Sequence, residues 1–266
     1  MTTRGTLKAL ASTALAGLLL AATGCSVPTT HDLRVSKANS VSRLDRPLMV
    51  DIENFRGSVE VEVIPTLTQP TLRAWVLDES SQFMRLTDDA TVKSWYAAEV
   101  VAVQGKPVLR VMTTRDAKTK PSSVRLLIQT PTCEGIRVRN SGGAVVLRNI
   151  GGEITVENGY KGGEGGDIRI ETTRRIAEAV SLRTTMGDIS ILVPTSSQGR
   201  LEVNTPKGEP QVNVRADGLE SVKKTLTTFS ASLNGGTKTW SMLSASGDVK
   251  VEVGAWSAIG TANGPF

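Results

Sequence analysis

The sequence predicts an all-β protein, a solenoid or prism-like stack of short strands, and three observations carry that reading. Apolar and polar residues alternate with period 2 through most of the chain, as in Val59-Glu60-Val61-Glu62-Val63, the pattern of strands with one buried and one solvated face. Glycine recurs at fixed offsets from the apolar positions. The motif Gly-Asp-aliphatic returns at Gly166-Asp167-Ile168, Gly187-Asp188-Ile189 and Gly247-Asp248-Val249.

Taken from the N-terminus, the chain begins with Arg4 and Lys8, followed by an apolar run from Ala9 to Ala22. Fourteen residues are too few to span about 30 Å of hydrocarbon as a helix, so residues 1–24 read as an export signal. The run ends in Ala22-Thr23-Gly24-Cys25, which resembles the lipobox of bacterial lipoproteins, although that pattern favours a larger aliphatic residue where Ala22 stands. The resemblance implies that Cys25 is lipidated on sulfur and acylated on its freed amine. Several acyl chains at about 0.8 kcal/mol per buried CH₂ would anchor the chain permanently. Ser26 follows the cysteine where an aspartate would favour retention in the inner membrane, so the expected location is the cell envelope, on the outer membrane if the organism has one.

Residues 25–43 are polar, rich in Ser and Thr and without period, and read as a tether. The single histidine, His31, lies in it. That excludes from the folded part every mechanism needing a histidine in a pocket, including Ser/His/Asp hydrolysis, Cys/His proteolysis and His-rich zinc sites. With Cys25 lipidated, Cys133 is the one remaining thiol, and a small core hydrophobe is its expected role.

Residues 44–266 form the repeat domain. An apolar residue stands five places before the glycine in Ile52/Gly57, Val138/Gly143, Leu147/Gly152, Leu182/Gly187 and Met242/Gly247, and further apolar residues follow at two and four places. Physically this is a short strand, a tight turn needing a glycine, and a second strand facing the same core. One unit cannot bury its own apolar face, whereas stacked units can. Two stretches depart from the pattern. One is Thr66 to Arg115, containing Trp75, Trp95 and Tyr96; the other is Ala216 to Gly236, where Leu219 to Lys224 fits either a helical turn or a loop. The repeats, with the lead-in Val124-Arg125-Leu126-Leu127-Ile128 before Pro131 and its echo Ile189-Ser190-Ile191-Leu192-Val193-Pro194, resemble the domain family called "putative adhesin". That resemblance spans about Leu48 to Val253 and implies a β-solenoid-like stack in an envelope protein.

Candidates for chemistry are few. Gly162 to Asp167 matches the first six places of a calcium-binding nonapeptide, but Ile168 and Arg169 break the next two and no second copy completes the shell, so no metal or cofactor is expected. Asp167, Asp188 and Asp248 could align as a column of carboxylates, either closing turns or forming a paired-acid glycosidase site. Trp75, Trp95, Tyr96, Trp240 and Trp256 are expected in the core or at the stack's ends, with a sugar platform as the alternative. The net charge of +5 falls to about +3 once Arg4 and Lys8 leave, with no basic block, so nucleic acid is not an expected partner. Two functional classes remain: a non-catalytic module binding an envelope polysaccharide or protein, or an enzyme acting on envelope polysaccharide, with the first expected.

Overall fold

Alternation decides the local structure, and the computed structural model, which describes residues 29–32, 48–78, 96–113, 121–214 and 218–254, places it in nineteen strands. They are β1 (Thr29–Asp32), β2 (Met49–Asn54), β3 (Val59–Val63), β4 (Thr71–Asp78), β5 (Tyr96–Val103), β6 (Lys106–Thr113) and β7 (Pro121–Thr130). Then come β8 (Gly135–Asn140), β9 (Val145–Arg148), β10 (Glu153–Asn158), β11 (Ile168–Glu171), β12 (Val180–Thr184) and β13 (Ile189–Val193). The last are β14 (Gly199–Asn204), β15 (Pro210–Val214), β16 (Leu219–Lys224), β17 (Thr228–Leu233), β18 (Thr239–Ser244) and β19 (Val249–Val253). The only helical turn among the described residues is a 3-10 turn at Tyr160–Gly162. The signal segment, Cys25, Trp95 and Trp256 lie outside the described residues.

The strands form two sheets. One has the order β1-β4-β7-β3-β9-β11-β13-β19-β15 and the other β16-β17-β14-β18-β12-β10-β8-β2-β6-β5. A strand of the second sheet passes through a turn into a strand of the first, making rungs β2/β3, β8/β9, β10/β11, β12/β13, β14/β15 and β18/β19, and β6 and β7 pair beside β2 and β3 as a further rung. Neighbouring rungs pair in parallel, so that Ile154, Ile136 and Val50 share one level, as do Ile168, Val145 and Val59. The all-β, solenoid-like expectation is what the structure shows. Parallel sheets are normally buried on both faces; here only the faces between the sheets are dry. Ile52, Val59, Leu126, Val138, Leu147, Ile154, Ile168, Leu182, Ile191 and Val251 fill that space fully buried, and outward neighbours such as Glu60 and Arg137 are solvated.

Three features go beyond the sequence reading. The rungs are not stacked in chain order: β2/β3 lies between β6/β7 and β8/β9, and β18/β19 lies between β12/β13 and β14/β15. The segment that fits either a helical turn or a loop is a strand, β16, paired antiparallel to β17 with an irregularity between Glu220 and Lys223. Ser221 there has φ 54°. Such a kink, with Lys223 and Lys224 exposed, blunts a free sheet edge against unwanted pairing. Within the expected tether, Thr29–Asp32 is strand β1, pairing antiparallel to β4 with His31 opposite Leu72.

Candidate binding face

The turns joining the two sheets are held by side chains of the rungs themselves. Three residues before the turn glycine stands a small polar residue: Asn54 before Gly57, Asn140 before Gly143, Thr184 before Gly187 and Ser244 before Gly247. These, with Asn158, are at most 1% exposed, and burial without partners would be costly. The three asparagines find partners in one another. Asn54 Nδ2 donates to Asn140 Oδ1 at 3.1 Å, and Asn140 Nδ2 donates to Asn158 Oδ1 at 3.1 Å. Thr113 Oγ1 donates to Asn54 Oδ1 at 2.8 Å. Each also holds turn carbonyls, as Asn140 does at Gly142 (2.8 Å), Thr184 at Gly166 (2.7 Å) and Ser244 at Gly187 (2.7 Å). The stacked turns leave no room for side chains at two glycines in particular. A Cβ on Gly143, φ +89°, would come within 2.7 Å of the Gly57 carbonyl carbon, and one on Gly187, φ +95°, within 2.6 Å of that of Gly166.

The post-glycine aspartates do align. Asp167 Oδ1 accepts the Asp188 amide at 2.9 Å, Asp188 Oδ1 accepts the Asp248 amide at 2.8 Å, and Asp248 Oδ1 accepts the Glu209 amide at 2.8 Å. Each carboxylate therefore stitches its turn to the next rung, not to its own. Asp167 is committed in this way, and the Gly162–Asp167 stretch packs against the neighbouring turn, where a Cβ on Gly163 would run into the Ser141 carbonyl. Among the described residues no group of three or more His, Cys, Asp or Glu could hold a metal ion.

The outer face of the second sheet carries charge of alternating sign from strand to strand. Glu99, Arg110, Asp51 and Arg137 stand side by side on β5, β6, β2 and β8, and the next row places Glu53 beside Arg139. Arg137 grips Asp51 with two bonds, Nε to Oδ1 at 2.9 Å and Nη2 to Oδ2 at 2.5 Å, and this bond holds its guanidinium above its ordinary pKa. Arg139 lies 3.0 Å from Glu53, and Lys161 Nζ donates to the same carboxylate at 2.8 Å, which raises the lysine pKa. Both cations rest on the Tyr160 ring, at 5.3 and 5.0 Å from its centroid. Beside this row a groove of about 430 Å³ is lined by Met49, Asp51, Val103, Arg110, Arg137 and Glu153 among others, a mixture of apolar and charged side chains. Within it Arg137 is paired with Asp51. Such a surface can hold an extended polar ligand by hydrogen bonds and apolar contact.

Of the residues singled out in the sequence, Cys133 is fully buried in the core, donating to the Gly135 carbonyl at 3.3 Å, and burial pushes its thiol up to about 12. That is an inert thiol, not a nucleophile. Trp240 is a core residue whose Nε1 donates to the Glu178 carbonyl at 3.0 Å. Trp75 lies instead under the Arg125 guanidinium, 5.3 Å away, on the outer face of the first sheet, and Tyr96 packs against the core. Among the described residues these three aromatics are dispersed and form no shared platform. The charged rows and the buried polar ladder went unread in the sequence. The ladder did leave a signal there, Asn, Thr or Ser three places before the turn glycine.

The family described as Toastrack DUF4097 matches residues 90–252. A crystal structure of a "putative cell adhesion protein" from Clostridium sporogenes aligns with 85% of this chain and all of its own, at 11% identity and TM-score 0.49. One of a "putative adhesin" from Bacteroides fragilis aligns with 86% of this chain and 97% of its own, at 13% identity and TM-score 0.38. No curated protein matches the sequence.

Proposed function

The chain belongs to the Toastrack DUF4097 family, and from that premise we propose that it is a cell-envelope lipoprotein, held to the membrane by lipid on Cys25, whose stack is a non-catalytic binding or structural module. The observation carrying the non-catalytic reading is the aspartate column. The acids best placed by sequence for paired-carboxylate chemistry, Asp167, Asp188 and Asp248, each give an oxygen to the backbone amide of the following rung. Those groups hold the fold together. Ligand contact then falls to the outer faces, and the groove beside Asp51 and Arg137 suits an envelope polysaccharide or an extended protein segment. The lipobox-like Ala22-Thr23-Gly24-Cys25 supports the anchor, and Ser26 supports the outer membrane as its place.

Two experiments test this. Cys25→Ser should release the protein from membranes while the stack stays folded; retention in the membrane fraction at high salt, where charge attraction is screened, would refute the anchor. The purified domain should leave envelope polysaccharide intact. Cleavage by the wild type that is lost on replacing Asp167, Asp188 and Asp248 together by asparagine would instead make the column an active site.

A further inference from the structure

We propose that the stack stands on the membrane by its β1/β4/β5 end, with the corner formed by Phe55, Arg56, Trp75 and Arg125 facing an anionic lipid surface. This rests on the lipid anchor proposed above. Covalent reach is the first support. Thr29, the first residue of β1, is four residues beyond Cys25, and four residues span at most about 14 Å. β1 sits at the edge of one sheet, and β5 at the same end of the other. An acylated Cys25 therefore draws this end of the stack to the bilayer.

Register gives the second support. Thr29 is level with Ala74, Leu126 and Val59, where the strands of the first sheet leave the glycine turns. β1 runs parallel to β7, because each pairs antiparallel to β4, so the N-terminal end of β1 lies one level from Trp75 and Arg125, which face each other. The lipid thus attaches near the turn edge of the stack.

Charge along that edge is the third. Two and three strands in from β1 it carries the 47% exposed Arg125, whose Nη2 also lies 3.8 Å from a Glu60 carboxylate oxygen, and Arg56, with Phe55 and Trp75 half-buried near them. A tryptophan beneath an arginine is the pairing found where protein meets headgroups, its ring in the apolar boundary and the cation at the phosphates. Farther along, the same edge turns acidic. Asp167, Asp188, Asp248 and Glu209 follow in the turns leading into β11, β13, β19 and β15, roughly 19 to 34 Å from β4 at about 4.8 Å per strand. An anionic surface attracts the near end and repels the far one. The stack is held upright, and its long outer faces, including the groove beside Asp51, remain accessible from the side.

The test uses the full-length lipidated protein in vesicles of phosphatidylcholine and phosphatidylglycerol that carry a quencher on the headgroups. One fluorophore goes on Ala97→Cys, exposed on β5, and in a separate protein on Lys207→Cys, exposed in the turn between β14 and β15. Cys25 is blocked by its lipid, and buried Cys133 does not react. Quenching should be several-fold stronger at position 97 than at 207. Arg56→Glu combined with Arg125→Glu should narrow that difference on the mixed vesicles and leave it unchanged on pure phosphatidylcholine. Equal quenching at both positions, or stronger quenching at 207, overturns the proposal. The mass of the Cys25 peptide separates the two readings. A lipidated peptide with equal quenching sinks the orientation alone, whereas an unmodified Cys25 sinks the anchor and the orientation with it.

Discussion

Replacing Asn140 by alanine probes the buried ladder at its centre. The side chain is fully buried. It donates to the carbonyls of Gly142 (2.8 Å) and Gly143 (3.3 Å) and to Asn158 Oδ1 (3.1 Å), and it accepts from Asn54 Nδ2 at 3.1 Å. Several partners keep a second bond when it goes. The Gly142 carbonyl still accepts the Gly57 amide, the Gly143 carbonyl still accepts Asn158 Nδ2, and Asn54 Nδ2 still reaches the Val124 carbonyl. Those three losses amount to about 0.5–1 kcal/mol each. Asn158 Oδ1 loses its side-chain donor while buried, which adds about 1–3 kcal/mol. The expected destabilisation is about 2.5–6 kcal/mol, a large share of the roughly 5–15 kcal/mol that holds a domain folded. Urea melts monitored by circular dichroism would measure it against Asn213→Ala, a change at an exposed position of β15 that should stay within about 0.5 kcal/mol. A cost for Asn140→Ala below about 1 kcal/mol would show that the ladder does not bear on stability.

Two further outcomes are expected. Ile189→Asp puts a carboxylate into the dry space between the sheets and should cost several kcal/mol, whereas Ser190→Asp places it outside, between Arg169 and Lys250, and should change stability by less than about 1 kcal/mol; equal shifts in urea midpoint would contradict the assigned faces. The thiol of Cys133 keeps its proton in the folded state up to about pH 12, against 9.0 for its reference value, while the unfolded chain releases it above pH 9. Stability should therefore be intact below pH 9 and fall above it, with this thiol contributing up to about 1.4 kcal/mol per pH unit. Melts of Cys133→Ala between pH 9 and 11 should show a shallower fall than the wild type, and parallel curves would remove the thiol as a cause.

The individual rung was legible in the sequence because its determinants are local. Ile189 and Ile191, two apart after Gly187, had to share a face, and both are fully buried. The arrangement of rungs was not legible, for a physical reason. Val59, Val145, Ile168 and Ile189 offer nearly the same aliphatic surface to a neighbour, so the pattern that defines a rung says nothing of which rung lies beside it. The information lies partly in cross-strand charge. Asp51 and Glu53 find Arg137 and Arg139 on β8 at the same levels, and a one-residue slip of β8 against β2 would turn both arginines off the outer face. Strand β1 was hidden for another cause: four polar residues without alternation become a strand only because β4 supplies a partner.

The insertion of β18/β19 between older rungs bears on how the molecule is made. A ribosome delivers β14 and β15 before the strands that will separate them from β12 and β13 exist. Until residues 239–253 emerge, β15 has no hydrogen-bonded neighbour at all, and β14 has only β17. Val203 and Leu201 must wait, or pair wrongly with β12, whose level they could match. Growth rung by rung from one end, the simple route for a repeat protein, is closed to this chain. Its C-terminal third should acquire protection from hydrogen exchange in one late step. A truncation that removes β19 would leave a gap in the sheet and would not merely yield a shorter stack.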